Sequence, residues 1–378
     1  MTSTPPATAA RTRTPWRIFA PFLGVAIILG VYSVYWYVAA EKLKTGIEAF
    51  AASAHSGDIA VGWNALSFSG YPYRIATTFT APTITAPQAP EDWSWQAESL
   101  EADFLPYNLR HVVLKVDGEQ VLRYRDVSAS QPRRHTVRAR AEGTWASYVD
   151  IKNAPFGRLA IDIDKLVAVR DEGDGKTSKP GLAERFAAER LQLHLRPAEE
   201  TATGPAVPVL AADAGSYDLA LQGNDMVIDS ADAIPVLGPK ITFIAVQARL
   251  RNMPKNTKAS FVELSRHWLQ QGGSLAVSDL LVKWGPLDMW AQGEVTLDDK
   301  ARPKGTFDAE ISDYPGLLKA LVKGGVVSER DAKVALLGMG LVAQLQGSKE
   351  GKLRVPIVMN DGKLYLGPIV VATLDPVY

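Results

Sequence analysis

Cysteine is absent from this 378-residue chain. Disulfide scaffolds, thiol nucleophiles and cysteine-ligated metal centres are thereby excluded, while the compartment stays open. Net charge is absent as well, with 41 Lys+Arg against 41 Asp+Glu. A nucleic-acid partner, which needs a basic surface, is not expected. Histidine is scarce. His55, His111, His135, His194 and His267 include no i,i+4 pair and no HExxH arrangement, so no metal centre is expected. There is no Gly-x-Ser-x-Gly elbow. Gly175-Lys176-Thr177 has Arg170 where a phosphate loop needs glycine, and Asp171, Glu172 and Asp174 lack the alternation of an EF-hand. The carboxylate pairs Glu199-Glu200 and Asp298-Asp299 lie in polar turns, where solvation accounts for them. No catalytic residue, cofactor or metal ligand is nominated.

What is present is distributed unevenly. Residues 1–17 carry Arg11, Arg13 and Arg17, no acid, and much Thr, Pro and Ala, the composition of a disordered tail. Ile18 to Ala40 is a run of 23 residues without a charge, passing through Leu23, Ile28, Tyr35 and Trp36. As a helix it is about 34 Å long, enough for roughly 30 Å of bilayer hydrocarbon. Pro21 falls in its first turn, where a missing N–H costs little. Trp16 marks one interface, and Tyr32, Tyr35, Trp36 and Tyr37 form an aromatic belt at the other. A cleaved signal peptide is the competing reading, with Val38-Ala39-Ala40 as its cleavage site. Such peptides have shorter apolar regions ending in small residues, so an uncleaved anchor is expected. Three arginines before the span place the N-terminus in the cytoplasm by the positive-inside rule, with the remainder across the membrane. Helical spacing continues over 41–56 through Leu43, Ile47, Phe50, Ala51 and Ala54, either covering the following domain or standing as a solvated stalk.

After Gly57 the period changes to two. Ile75, Thr77 and Phe79 alternate, as do Val112, Leu114 and Val116; Leu159, Ile161 and Ile163; Leu191, Leu193 and Leu195; Tyr217, Leu219 and Leu221; Phe307, Ala309 and Ile311; and Leu353, Val355, Ile357 and Met359. Asp117-Gly118 and Asp361-Gly362 read as hairpin turns, and Asp298 to Gly305 as a looser one. The expected fold is mainly β, with α+β character. The N-terminal transmembrane helix precedes a large curved or rolled antiparallel sheet carrying a few packed helices. Those helices are read at Lys258 to Gln271, after Asp313 with Pro315 in the first turn, and after Ser328 with Asp331 as an imperfect capping box. The polar stretches 171–181 and 197–208 mark where two lobes would divide. Strand character resumes on both sides, so one continuous sheet is preferred. Among nine tryptophans, Trp63, Trp93, Trp95, Trp145, Trp284 and Trp290 accompany strands, anchoring a core or lining an apolar groove.

Several segments carry a resemblance. Trp63 is followed by Ser69-Gly70-Tyr71-Pro72-Tyr73-Arg74; then come Pro106-Tyr107-Asn108, Trp284-Gly285-Pro286-Leu287, Gly293-Glu294-Val295, Asp361-Gly362-Lys363-Leu364 and Leu366-Gly367-Pro368. In this order they resemble the bacterial domain-of-unknown-function family 2125. The resemblance implies an alphaproteobacterial, membrane-anchored, exported protein, and it brings no catalytic residues. A looser architectural likeness is to AsmA-type envelope proteins. Read from the residues alone, Gly70 to Arg74 is a structural corner: glycine permits the bend, proline fixes φ, and Arg74 is available to pair with an acid.

The expected function is therefore non-enzymatic. The chain is read as an inner-membrane protein with a periplasmic body that holds a lipid or another hydrophobic envelope ligand. A module tethering envelope proteins is the alternative, and an exported hydrolase is a third reading.

Overall fold

The computed structural model describes residues 16–55, 59–86, 92–126, 133–152, 154–172, 184–198, 214–229, 236–254, 261–345, 352–367 and 369–377. Most of the N-terminal tail, of both polar stretches and of the segment before the second helix lies outside these residues, as does Pro368.

One helix, α1 (Trp16–His55), runs unbroken through the apolar run and the 41–55 extension. It begins before Ile18, so Pro21 sits inside the helix rather than in its first turn. Eighteen strands follow: β1 (Ala60–Gly62), β2 (Ala65–Ser69), β3 (Ile75–Thr80), β4 (Thr83–Ala86), β5 (Trp93–Leu105), β6 (Asn108–Asp126), β7 (Arg133–Arg140), β8 (Gly143–Val149), β9 (Arg158–Glu172), β10 (Glu184–Pro197), β11 (Ala214–Asp229) and β12 (Lys240–Pro254), then β13 (Ser274–Trp284), β14 (Leu287–Leu297), β15 (Pro303–Ser312), β16 (Lys352–Asn360), β17 (Lys363–Leu366) and β18 (Ile369–Thr373). Helix α2 (Phe261–Gln270) connects β12 to β13, while α3 (Tyr314–Lys323) and α4 (Glu329–Leu345) connect β15 to β16.

All strands join one antiparallel sheet. From β9 to β18 each pairs with the next in the chain. At the N-terminal end, long strands carry two short partners end to end. Thus β5 pairs with β3 and β4, and β6 with β7 and β8.

The register explains why the alternation was so persistent. Cross-strand partners share a face. One row therefore runs Phe68, Thr77, Ala102, Leu114, Ala146, Ile161, Leu193, Leu221, Val246, Leu280, Ala291, Ala309, Val355. The parallel row runs from Ile75 and Phe104 through Tyr148, Leu195, Ala248 and Phe307 to Leu366. Both rows form one apolar face that crosses the whole sheet. The other face carries partly exposed cross-strand ion pairs, among them Arg190–Asp162 at 2.5 Å and Arg249–Asp218 at 2.8 Å. Such pairs add little stability but keep that face wet.

Helices cover the apolar face at its two ends. At the N-terminal end α1 packs on Ile75, Phe68 and Phe104. At the other, Leu317, Leu318 and Leu321 of α3 and Ala332 and Ala335 of α4 pack on Ile311, Leu353 and Val355. Asp313 caps α3 by accepting from the Gly316 N–H at 3.1 Å, and Ser328 Oγ accepts from the Asp331 N–H at 3.1 Å to open α4, as their spacing predicts. Between the two covered ends Leu114, Ala146, Ile161 and Leu193 are only partly buried and Leu221 is 38% exposed, whereas Ala248, Val277, Ala291, Phe307 and Ala309 form a second buried cluster.

Asp117-Gly118 does not make a hairpin, because β6 passes straight through it. Gly118 takes φ +80° at the place where β5 and β6 shift register. A bulge and a tight turn both demand positive φ, so the dipeptide fits either. The connection between β5 and β6 is made instead at Pro106-Tyr107. Asp361-Gly362 does join β16 to β17, and Asp298 to Gly305 spans the β14–β15 turn.

In that turn the Arg302 side chain donates to Asp298 Oδ2 at 2.8 and 2.6 Å, and the Lys300 and Arg302 backbone N–H groups donate to Oδ1 at 2.9 Å. These bonds hold the Asp298 carboxyl down to about 2, from an ordinary 3.8. A depressed carboxylate contributes stability above its ordinary value and loses it as pH falls through the depressed one. Carboxyl NMR titration is therefore expected to give a midpoint near 2 for Asp298. The native turn's contribution is lost as pH falls from 3.8 to about 2, and in Arg302→Ala the midpoint returns toward 3.8 and that pH dependence shrinks with it.

Candidate functional site

The helix α1 meets the sheet at the corner that precedes β3. Gly70 has φ +94°, and a Cβ there would lie 2.7 Å from Arg74 Cγ and 2.8 Å from Arg74 O, so only glycine fits. Its carbonyl accepts from the Tyr73 and Arg74 N–H groups at 3.1 and 3.0 Å, closing the corner around a cis Tyr71–Pro72 peptide. Gly70→Ala is expected to cost on the order of 1–3 kcal/mol, the scale of enforced backbone strain, seen as a lowered Tm.

Aromatic side chains of α1 hold that corner by its carbonyls. Tyr32 Oη donates to Pro72 O at 2.5 Å, Trp36 Nε1 to Arg74 O at 3.1 Å, and Tyr35 Oη to Pro106 O at 2.7 Å. Ser33 Oγ and Tyr71 Oη share a 2.6 Å hydrogen bond. Tyr71 also meets Trp36 edge-on and stacks against Tyr37. Trp36, Ala39, Ala40 and Ile75 form a buried cluster completed by Leu43, Phe68 and Phe104. Trp36 is thus buried against the sheet, whereas its neighbours Tyr35 and Tyr37 are exposed. The Arg74 guanidinium reaches the opposite face, pairing with Asp103 at 2.5 Å and Glu101 at 3.5 Å, both acids half-buried.

Just beyond this joint lies an apolar cleft of about 420 Å³. Its roof is the extension of α1, through Lys42, Leu43, Gly46, Ile47 and Phe50. Its floor and walls are Val61 and Gly62 of β1, Trp63, Phe79 of β3, Pro82, Thr83 and Ile84 of β4, Trp95 and Leu100 of β5, and Leu109 of β6. Trp63 stands edge-on to Phe79 at 5.2 Å. Lys42 supplies the only charge in this lining. The extension is therefore the cover of a cavity rather than a solvated stalk. The volume falls within the ~300–1,000 Å³ of small-molecule sites, and apolar walls with few polar groups are their usual composition.

The singled-out residues divide accordingly. Tyr35, Trp36 and Ala40 come together with Gly70, Tyr71, Pro72, Tyr73, Arg74, Pro106, Tyr107 and Asn108 around the joint. Leu23 and Ile28 are exposed on the free length of α1, where Phe22 is 70% exposed. That helix is long and apolar enough to cross a membrane. Ile18 lies in its first turns. Trp284 is elsewhere, packed on Met226 and Ile241 with Nε1 donating to Gly238 O at 2.8 Å, and Gly367 makes the β17–β18 turn with φ +56°.

The tryptophans serve both expected roles: Trp63 and Trp95 line the cleft, and Trp284 packs in a core. Sequence reasoning missed Gly46, Pro82, Ile84, Leu100 and Leu109 as lining residues. Only the helical spacing of Leu43, Ile47 and Phe50 signalled that this face was needed.

Other chemistry is sparse. Among the described residues no group of His, Asp and Glu is arranged to hold a metal. The sheet brings His111 Nε2 to 3.0 Å from Ser147 Oγ. No carboxylate bonds to that imidazole among the described residues.

No curated protein and no solved structure matches the chain. Residues 36–375, from the buried tryptophan of the joint to just past the last strand, match the family described as uncharacterized protein conserved in bacteria, DUF2125, and the chain belongs to that family.

Proposed function

We propose that this chain is a non-enzymatic protein of the bacterial inner membrane that holds a lipid acyl chain, or a ligand of like chemistry, in the cleft beneath α1. The observation that carries the reading is the position of the cleft. An apolar cavity is roofed by the same helix whose preceding segment is apolar and exposed on every side. A hydrophobic ligand taken there leaves one apolar phase for another without crossing water. Lys42, exposed and part of the lining, suits an anionic headgroup. From Leu114 the apolar row is partly buried and runs through Ala146 and Ile161 toward the centre of the sheet, giving longer chains further apolar surface.

Three arginines before the span and none within it support an N-terminus in the cytoplasm and a periplasmic body. A phosphatase fused after Tyr378 is expected to be active outside the cytoplasm; activity confined to the cytoplasm would overturn the orientation. Native mass spectrometry of the full chain in detergent tests the ligand. Adducts of lipid mass are expected, and protein that is uniformly ligand-free counts against the reading.

One observation favours the alternative of a tethering module. Val334, Leu336 and Leu337 of α4 are exposed apolar residues at the far end of the sheet. Crosslinking in membranes that yields protein partners and no lipid adducts would support it.

A further inference from the structure

The geometry points to a second membrane contact, made by the sheet itself: the corner Tyr71–Arg74 and the turn at Pro106-Tyr107 sit at the boundary between acyl chains and lipid headgroups and set the mouth of the cleft at the bilayer surface. This inference rests on the reading that α1 crosses a membrane.

Three observations carry it. The first is a length. From Ile18 to Tyr32 the helix rises only about 21 Å, less than the roughly 30 Å of hydrocarbon it must cross. Yet Tyr32 is already bonded to Pro72, and Tyr35, one turn on, to Pro106. Any tilt of the helix shortens the free length further. The sheet therefore begins below the level at which the apolar run ends at Ala40.

The second is the state of the backbone. Irregular chain at membrane depth persists only where its polar groups are satisfied by protein. Here the carbonyls of Pro72, Arg74 and Pro106 accept from Tyr32, Trp36 and Tyr35, and that of Gly70 accepts from within the corner. The aromatics read from sequence as a belt thus perform a second task, supplying donors to three carbonyls of the joint.

The third is what the corner presents outward. Tyr73 is 84% exposed and Tyr107 77%, with Tyr71 and Leu109 also exposed. Tyrosine, with an apolar ring and a polar tip, is the side chain enriched at this depth. The corner's cation, Arg74, is paired with Asp103 and Glu101, and Arg110 with Asp150, so charge there is compensated at headgroup level.

The absence of cysteine makes the test clean. Single variants Tyr73→Cys, Tyr107→Cys, Phe22→Cys and Lys304→Cys of the full chain would carry a nitroxide in phosphatidylglycerol-containing nanodiscs. Collisions with oxygen and with a water-soluble nickel chelate are then compared. All four side chains are exposed, so their replacement leaves the core intact. Labels at 73 and 107 are expected to favour oxygen, as at 22, and the label at 304 to favour nickel. If 22 favours oxygen while 73 and 107 match 304, the anchor stands and the seated corner falls. Low collision rates with both reagents at 73 and 107, the mark of protein cover, overturn it as well. If 22 also favours nickel, the membrane reading and the seat fall together. An environment-sensitive dye on the same cysteines gives an independent reading, its emission shifting to the blue at 22, 73 and 107 and not at 304.

Discussion

Trp36→Ala is expected to unseat the anchor helix from the sheet, at a cost of about 3–5 kcal/mol, the usual range for a large aromatic removed from a core. Trp36 is 4% exposed and packs with Ala39, Ala40 and Ile75, and its Nε1 serves the Arg74 carbonyl. Truncation empties the centre of the joint and leaves that carbonyl without its donor, and both losses act in the same direction. Trp36→Phe separates them: it keeps most of the packing and forfeits the hydrogen bond, so a smaller loss of about 1 kcal/mol is expected. Urea unfolding in detergent reads the cost, and hydrogen exchange reads its location. Faster exchange confined to residues 70–76 and 32–43 fits a broken joint. A loss below about 1 kcal/mol for Trp36→Ala would show that the helix is not held by this residue.

Gly46→Trp is expected to remove bound lipid without unfolding the protein. Gly46 lines the cleft from α1, and a Cβ built there meets nothing within 4 Å, so the first atom of a new side chain displaces no neighbour and the rest has the cleft of about 420 Å³ to enter. Glycine inside a helix is among the poorest formers, and tryptophan is better by roughly 0.5 kcal/mol, so stability is expected to hold or rise. The indole occupies space that an acyl chain would otherwise take, so the lipid recovered with the variant is expected to fall toward background. Gly46→Ala is the control, gaining helix propensity while leaving the cleft open. Unchanged lipid in Gly46→Trp would place any bound lipid elsewhere on the protein. The opposite signs expected for stability and occupancy separate this outcome from simple damage.

Much of this architecture was legible because each element announces itself over a short stretch. The charge-free run from Ile18 to Ala40 needs no partner to be read as a helix, and period-two alternation reports a strand with one wet face. Asp313 and Ser328 cap their helices through bonds made within three residues, so their spacing was enough. Asp117-Gly118 misled because positive φ is a property of the dipeptide, whereas the choice between bulge and turn belongs to the partner strand. The joint was hidden for a related reason. Tyr32, Tyr35 and Trp36 bond to residues 38 to 71 positions away. An aromatic at the end of an apolar helix has a sufficient explanation in lipid alone. The cleft was hidden further still, since its walls come from α1, β1 and β3 through β6 and no one segment carries its pattern. The family motif around Gly70 was visible as a corner; that it is the socket for the anchor follows only from the fold.

The most direct test of the account is photo-crosslinking with a phospholipid that carries a diazirine at mid-chain, applied to the full chain in membranes and mapped by peptide. Lipid surrounding the span will label residues 19–38 in any case. The account predicts a second set of labelled peptides that contain Leu43, Phe50, Trp63, Phe79 and Trp95, the residues lining the cleft, with that set suppressed in Gly46→Trp. Label confined to the span, with the cleft peptides unmodified in the native chain, would contradict it.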